Sequence, residues 1–375
     1  MGQREDVAPC TSLYSSPFRF GVIRLMEVIR GLHNLRERHR GTVATIGNFD
    51  GVHLGHRAIL DQCHAEAARR DLAVTAVVFE PQPREYFAGD QAPPRLTRLR
   101  DKVKLLGECG VDRVLCLPFN ESLRQLTAAQ FIDRVLVEGL DVQHLVVGDD
   151  FRFGCDRRGD FALLTEAGKC QGFTVEHTLT FRVDDDRVSS TRVRTLLACG
   201  NFKAAAQLLG RPYCFRGRVV PDQQRGRTIG VPTANLPLLP GPLVLRGVYA
   251  AMVEVEGDSG TRYPAVVNIG WRPTVGSVRP VLEAHLLDVE RDLYGRRLTV
   301  VPCAKLRGEE TFADFAALKT QIYADIDRAR EVFARYDSGR RPFFEEYPLA
   351  SAPRAREAVT QDSPAGQGPA DHDDG

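Results

Sequence analysis

From residue 42 to about residue 197 the sequence switches repeatedly between two hydrophobic periods, and few folds accommodate that alternation. Short apolar runs at Thr42–Ile46 and at 73–79, 113–117, 144–147 and 173–179 have the length of buried strands. Amphipathic stretches with helical spacing lie between several of them. Residues 56–70 put Ile59, Cys63 and Ala67 on one face, and residues 127–140 read the same way. Strands alternating with helices predict a parallel sheet covered by helices, a doubly wound α/β domain of the nucleotide-binding type.

The alternation stops at Gly210-Arg211-Pro212-Tyr213, after two short predicted helices, Ser190–Ala198 and Phe202–Leu209. Strands then follow one another at 215–220, 248–256, 263–269, 281–287 and 298–302, with Gly/Pro turns between them. Successive strands without helices predict an antiparallel sheet closed into a β-barrel. A helical stretch from 312 to about 335 closes this part. The expected organisation is a domain over 26–209 and a second over 210–347. Two domains also suit 375 residues at roughly 150 per domain. Residues 1–25 carry no period and are expected to be an unstructured extension, with Met26 a candidate start of the folded part. Residues 348–375, rich in Pro, Gly, Ala and Asp, are expected to form a disordered tail.

Composition narrows the function classes. Fifty Lys and Arg against 49 Asp and Glu leave a net charge of +1, which advertises neither nucleic acid nor an anionic membrane. No run approaches the ~18 apolar residues of a membrane span. Nine cysteines, without any Cys-x-x-Cys pair, indicate neither a disulfide framework nor a zinc ribbon. These features predict a cytoplasmic protein, and self-association is left open.

In the first domain, Gly47-Asn48-Phe49-Asp50-Gly51-Val52-His53-Leu54-Gly55-His56 joins the first strand to a helix. Glycines at such a turn let backbone N–H groups approach phosphates, and the helix N-terminus adds partial positive charge. Two imidazoles flanking a glycine can donate to a phosphoryl group as its charge rises in a transition state. The plainer alternatives are turn chemistry or a zinc half-site, which lacks a nearby third ligand. A second cluster, Ser189-Ser190-Thr191-Arg192-Val193-Arg194, suits a triphosphate tail, because guanidinium pairs bidentately with phosphate oxygens. Helix capping alone accounts for one of its hydroxyls.

In the second domain, Arg225-Gly226-Arg227-Thr228-Ile229-Gly230-Val231-Pro232-Thr233-Ala234-Asn235 is a basic, glycine-punctuated loop leading to a Pro-fixed turn that presents Thr and Asn. Those oxygens suit a hydrated Mg²⁺ beside phosphates, although residues alone favour an ordinary loop. The strand at 281–287 alternates: Leu282, Ala284 and Leu286 share one face, Glu283 and His285 the other. Glu283 is either solvated or kept for chemistry, and spacing does not decide.

With Phe79-Glu80-Pro81-Gln82-Pro83-Arg84-Glu85 and Val147-Gly148-Asp149-Asp150-Phe151-Arg152-Phe153-Gly154 added, the first domain resembles the adenylyltransferase half of the bacterial bifunctional riboflavin kinase/FAD synthetase family. Gly210-Arg211-Pro212-Tyr213, Pro232-Thr233-Ala234-Asn235, Val267-Asn268-Ile269-Gly270 through Arg272-Pro273-Thr274, Glu283-Ala284-His285-Leu286-Leu287-Asp288 and Leu293-Tyr294-Gly295 resemble its kinase half. The resemblance implies a Rossmann-like nucleotidyltransferase domain and a six-stranded antiparallel barrel with a C-terminal helix. It implies phosphorylation of riboflavin to FMN and adenylylation of FMN to FAD, both from ATP with Mg²⁺ and without a permanently bound prosthetic group. His53 and His56 become catalytic. Gly47, Asn48, Phe49, Asp50, Gly55, Ser189, Ser190, Thr191, Arg192 and Arg194 become the ATP contacts, and Pro81, Pro83, Asp150 and Phe151 position the flavin. In the kinase, Gly226, Arg227, Gly230, Pro232, Thr233 and Asn235 hold ATP, Thr233 and Asn235 ligate Mg²⁺, Glu283 is the base, and Asn268 and Arg307 complete the site. Two positions depart from the family: Gln82 replaces its usual His, and Pro221-Asp222-Gln223-Gln224 replaces a loop of the His-Gly-Asp-Gly kind. The altered loop motivates a rival reading, an adenylyltransferase with an inactive flavin-binding barrel. A non-catalytic flavin sensor is a second rival.

Overall fold

The computed structural model describes residues 26–148, 150–178, 181–183, 186–221, 230–258, 260–274 and 277–337. The expected extension, the tail and the loop over 222–229 therefore lie outside the described residues, and Gly226 and Arg227 with them.

Two compact units divide between Arg192 and Val193. The first contains β1 (Glu27–Arg30), β2 (Thr42–Ile46), α1 (Leu54–Arg70), β3 (Ala73–Glu80), α2 (Pro83–Ala88), α3 (Leu99–Glu108), β4 (Arg113–Pro118), α4 (Glu121–Arg124), α5 (Ala128–Phe131), β5 (Val142–Gly148), α6 (Phe161–Gln171) and β6 (Thr174–Thr178), then a two-stranded ribbon, β7 (Arg182–Val183) and β8 (Asp186–Arg187). The six-stranded sheet is parallel throughout, in the order β1-β4-β3-β2-β5-β6. The five expected strands are all present. The short β1, which the apolar runs did not reveal, adds an edge beside β4.

Period-2 alternation explains why both faces are covered. Val74, Ala76 and Val78 of β3 join Leu60 and Cys63 of α1 and Leu105 and Leu106 of α3 in one core. Ala44, Ile46 and Val77 join Leu115, Phe131, Val135 and Leu136 in the other. The helix expected over 127–140 is present but changes pitch. After α5 it continues as a π-helix, Ile132–Val137, with the Glu138 N–H bonded to the Asp133 carbonyl at 2.7 Å. The wider turn keeps Ile132, Val135 and Leu136 buried together. From β2 the chain winds outward through β3 and β4, whereas β5 lies on the other side of β2. The order therefore reverses at β2/β5, and a ligand crevice is expected beyond the carboxyl ends of these two strands.

The division falls inside α7 (Ser190–Ala198), earlier than the change of pattern at Gly210. Packing of α8 (Phe202–Leu209) against the following sheet gives the reason: Phe202 meets Tyr249 edge to face, ring centroids 6.0 Å apart. The second unit continues with β9 (Phe215–Arg218), β10 (Ala234–Pro237), β11 (Gly247–Val255), β12 (Arg262–Thr274), β13 (Ser277–Leu286), β14 (Arg297–Arg307) and α9 (Phe315–Asp337). The sheet is antiparallel in the order β10-β13-β12-β11-β14-β9. A bridge from Val220 to Asn235 brings its ends together into a nearly closed barrel. Sequence patterning found five of these strands and missed β10, because Pro232-Thr233-Ala234-Asn235 reads as a turn. In the fold, Ala234 and Asn235 are already in the strand. Helix α9 packs on β11, β12 and β14, with Ile326 and Ala329 buried against Ala250.

Candidate active sites

In the first unit, the turn after β2 combines buried apolar anchors with an unusual backbone. Phe49 and Val52 have positive φ (47° and 41°) and are buried, so packing holds a conformation that side chains seldom adopt. Gly55 lets the start of α1 approach its surroundings: a Cβ there would lie 3.2 Å from His53 Nδ1 and 3.3 Å from the Val188 carbonyl. His53 caps α1. The His56 N–H donates to His53 Nδ1 and the His53 N–H donates to His56 Nδ1, both at 3.3 Å. The rings stack 3.6 Å apart at 14°. Because each Nδ1 accepts, a neutral ring carries its proton on Nε2. The cap thereby sets both imidazoles as Nε2–H donors at a helix N-terminus.

Asp50 is buried, and its carboxylate accepts from the backbone N–H groups of Leu96 and Thr97 and from Thr97 Oγ1, at 3.0–3.2 Å. Ser190 Oγ donates to the Asp50 carbonyl at 2.8 Å. That bond joins motifs 140 residues apart. Ser189 Oγ accepts from the Arg192 N–H at 3.2 Å, the capping role that local chemistry predicted. Thr191 and Arg192 are exposed on the first turn of α7, with Arg194 partly exposed. Asp150 and Phe151 follow β5 at the same reversal of strand order. Asp150 is paired with Arg187 at 3.0 Å, and Phe151 stacks on Phe153. Gly47 and Asn48 lie in the turn after β2, whereas Pro81 and Pro83 follow β3, Pro83 opening α2. Gln82 is buried there, and its Nε2 has no hydrogen-bond partner among the described residues.

Beneath that proline segment lies a charged cluster that sequence spacing did not reveal. Arg95 pairs with Glu80 at 3.0 Å and grips Glu85 through Nε at 2.7 Å and through Nη2. Burial pushes the Glu85 carboxyl up, but hydrogen bonds from Arg95 and the Gln82 N–H, together with the charges of Arg95 and Lys102, outweigh it and hold the group below its ordinary value. Lys102 of α3 is fully buried, and its Nζ has no hydrogen-bond partner among the described residues. Burial lowers its pKa against the attraction of Asp50. A lysine on the buried stripe with Leu105 and Leu106 was the available signal.

In the second unit, the register puts Asn235 of β10 opposite Glu283 of β13, and Glu283 opposite Asn268 of β12. Three polar side chains thus form one row across three adjacent strands. Leu282, Ala284 and Leu286 are buried on the other face, as the alternation predicts. The face carrying Glu283 is only partly open to water. It walls a cavity of about 510 Å³ beneath α9, lined also by Thr233, Arg272, His285, Arg307, Phe315 and Ile322. Asn235 is 5% exposed, and its Oδ1 has no hydrogen-bond partner among the described residues. A buried amide oxygen left unpaired costs about 1–3 kcal/mol, which a cation or ligand at that point would recover. His285 Nδ1 lies 2.8 Å from the Pro232 carbonyl, tying β13 to the Pro-Thr-Ala-Asn segment, and Gly230 turns with φ of 76° just before it.

Arg307 ends β14 with its guanidinium on the carboxylate of Asp325 at 2.9–3.1 Å, beside the ring of Phe312. Asp325 was missed in the sequence. It sits on the stripe Leu318, Ile322, Ile326, where a carboxylate signals a buried partner.

The family model described as FAD synthetase matches residues 35–192, and the one described as riboflavin kinase matches residues 209–333. Curated relatives carry the name bifunctional riboflavin kinase/FMN adenylyltransferase. That of Pseudomonas fluorescens is 54% identical over 82% of this chain and 98% of its own. That of Escherichia coli K12 is 52% identical with the same coverage. A solved Streptococcus pneumoniae structure, titled a macrolide-efflux protein, aligns at TM-score 0.67 and 27% identity over 81% of this chain and 99% of that one. Among the described residues, no helix is long and apolar enough to cross a membrane.

Proposed function

The chain belongs to the bifunctional riboflavin kinase/FMN adenylyltransferase family, and from that premise we propose how its residues divide the work. It phosphorylates riboflavin to FMN and transfers AMP from ATP to FMN, releasing pyrophosphate.

In the kinase half the nucleophile is a primary alcohol, so a base is required. Glu283 takes the ribityl 5′ proton as the new O–P bond forms and the bond from the γ-phosphorus to ADP breaks. Thr233 and Asn235 are the residues that would hold Mg²⁺, and the unpaired Oδ1 of Asn235 beside the carboxylate fits that role. When bound, the ion neutralises charge on the ATP phosphates. Asn268 orients the alcohol from the other side of Glu283. Arg307, held by Asp325, faces the transferred phosphoryl group, and Gly226, Arg227, Gly230 and Pro232 complete the ATP contacts.

In the adenylyltransferase half the FMN phosphate is already an anion, so positioning and charge stabilisation suffice. His53 and His56 donate from Nε2 to the α-phosphoryl group. The turn Gly47–Gly55 and the segment 189–194 hold the triphosphate, and Pro81, Pro83, Asp150 and Phe151 hold the flavin. Asp50 acts through the loop that its carboxylate fastens. We assign the functional boundary to Gly210 and the protein to the cytoplasm, where ATP and reduced thiols coexist.

The observation that carries the reading of two active centres is the Asn235–Glu283–Asn268 row in a cavity wall, because an inactive flavin-binding barrel or a sensor has no use for it. Incubation with riboflavin and Mg-ATP, followed by chromatographic separation of the flavins, should yield FAD through FMN. FAD formed only when FMN is supplied would restore the adenylyltransferase-only reading, and no turnover would restore the sensor.

A further inference from the structure

A carboxylate in a sheet wall has two equivalent oxygens and can swivel, yet a base must present one of them to one hydroxyl. In this cavity a single contact resolves that ambiguity. Arg272 Nη1 donates to Glu283 Oε1 at 3.0 Å, and Oε2 carries no hydrogen bond among the described residues. The pair is set by the barrel. Arg272 lies four residues beyond Asn268 on β12, on the same face, and opposite Arg279 rather than Glu283. Its side chain therefore reaches back along the sheet to the carboxylate. Both groups line the cavity, and at 26% and 23% exposure the ion pair is sheltered but still reachable.

We propose that Arg272 is a positioning residue of the kinase: by holding Oε1 it turns Oε2 toward the alcohol to be phosphorylated. This rests on the reading of Glu283 as the base. The guanidinium suits the task, since its rigid planar frame sets the direction from which Nη1 donates to Oε1. A lysine supplies the charge without that fixed direction.

The test uses the full chain with Arg272→Met, Arg272→Lys, Glu283→Gln and the double variant Arg272→Met/Glu283→Gln. Riboflavin binding is followed by flavin fluorescence, and kcat and KM are measured for FMN formation. Misplacing a reacting group by about 1 Å costs on the order of 100-fold, so Arg272→Met should lower kcat by about 10- to 100-fold. Riboflavin binding and the KM for ATP should remain near wild type. Arg272→Lys should recover part of the loss, and it carries the test if the methionine variant does not fold. The double variant should be no slower than Glu283→Gln alone, because orienting an absent base gains nothing. A wild-type kcat in Arg272→Met, a raised KM for ATP with kcat unchanged, or additive losses in the double variant would each overturn the proposal. Wild-type turnover in Glu283→Gln would instead remove the base itself, a failure distinct from that of Arg272.

Discussion

The two units solve phosphoryl chemistry with opposite materials. The proposed site of the first is built from backbone: a tight turn, a helix N-terminus and two imidazoles whose Nδ1 atoms are consumed in starting that helix. The proposed site of the second is built from side chains standing in the wall of a sheet, roofed by a helix. The difference follows the nucleophile. An anionic phosphate asks only to be held against another phosphate, whereas an alcohol needs somewhere to leave its proton. Loops at the ends of parallel strands suffice for the first task. A fixed carboxylate is needed for the second.

The sharpest way to break this contrast is Glu283→Gln. Loss of a general base costs about 100- to 10,000-fold, so FMN formation should fall by at least the lower figure while supplied FMN is still converted to FAD. Undiminished phosphorylation, read by chromatography, would leave the barrel without a base. Replacing His53 or His56 with Ala should lower FAD formation by about 100- to 1,000-fold and spare riboflavin phosphorylation. Equal loss of both activities in a folded variant would show that the two centres are not separate.

A third test concerns independence. Residues 211–347 should fold alone, but a fragment beginning at residue 193 should be more stable, because α8 buries Phe202, Ala205, Ala206 and Leu209. Burying one such large side chain is worth about 1.5–3 kcal/mol, so the longer fragment should resist urea by about 3 kcal/mol more. Identical midpoints would contradict packing of α8 on the barrel.

The smallest effect concerns Glu85. Its folded pKa lies below the ordinary 4.5, so its contribution to stability is present above about that pH and is lost as pH falls through the lower folded value. Arg95→Met should flatten that acid limb of the first unit's unfolding curve. A limb unchanged by the substitution would mean that Arg95 is not what holds the carboxylate down.

Much of this was legible in the sequence, for physical reasons that also explain the gaps. Strands buried on both faces announce themselves as apolar runs, and thus β2 is found with both its ends, while the edge strand β1 carries only Val28 and Ile29 between charges. Gly55 and the two histidines were legible because their chemistry is local. Asn235 read as a turn residue because Pro232 precedes it, and only the register with β13 reveals its neighbour. Spacing left Glu283 undecided for a similar reason: alternation gives a face, and it does not say that α9 covers that face. The apolar stripes mark Lys102 and Asp325 as out of place, but the pairing of Asp325 with Arg307 and of Arg272 with Glu283 is made by the fold and lies beyond the reach of any periodic pattern.

The polar row in the barrel also works as a ruler. Neighbouring strands lie about 4.8 Å apart, so Asn235, Glu283 and Asn268 stand at successive graduations that no loop can alter. Shifting the scale by one residue would turn all three side chains to the buried face and unfold the barrel with them. The spacing between Glu283, the proposed acceptor of the proton, and the residues on either side is therefore inherited with the fold.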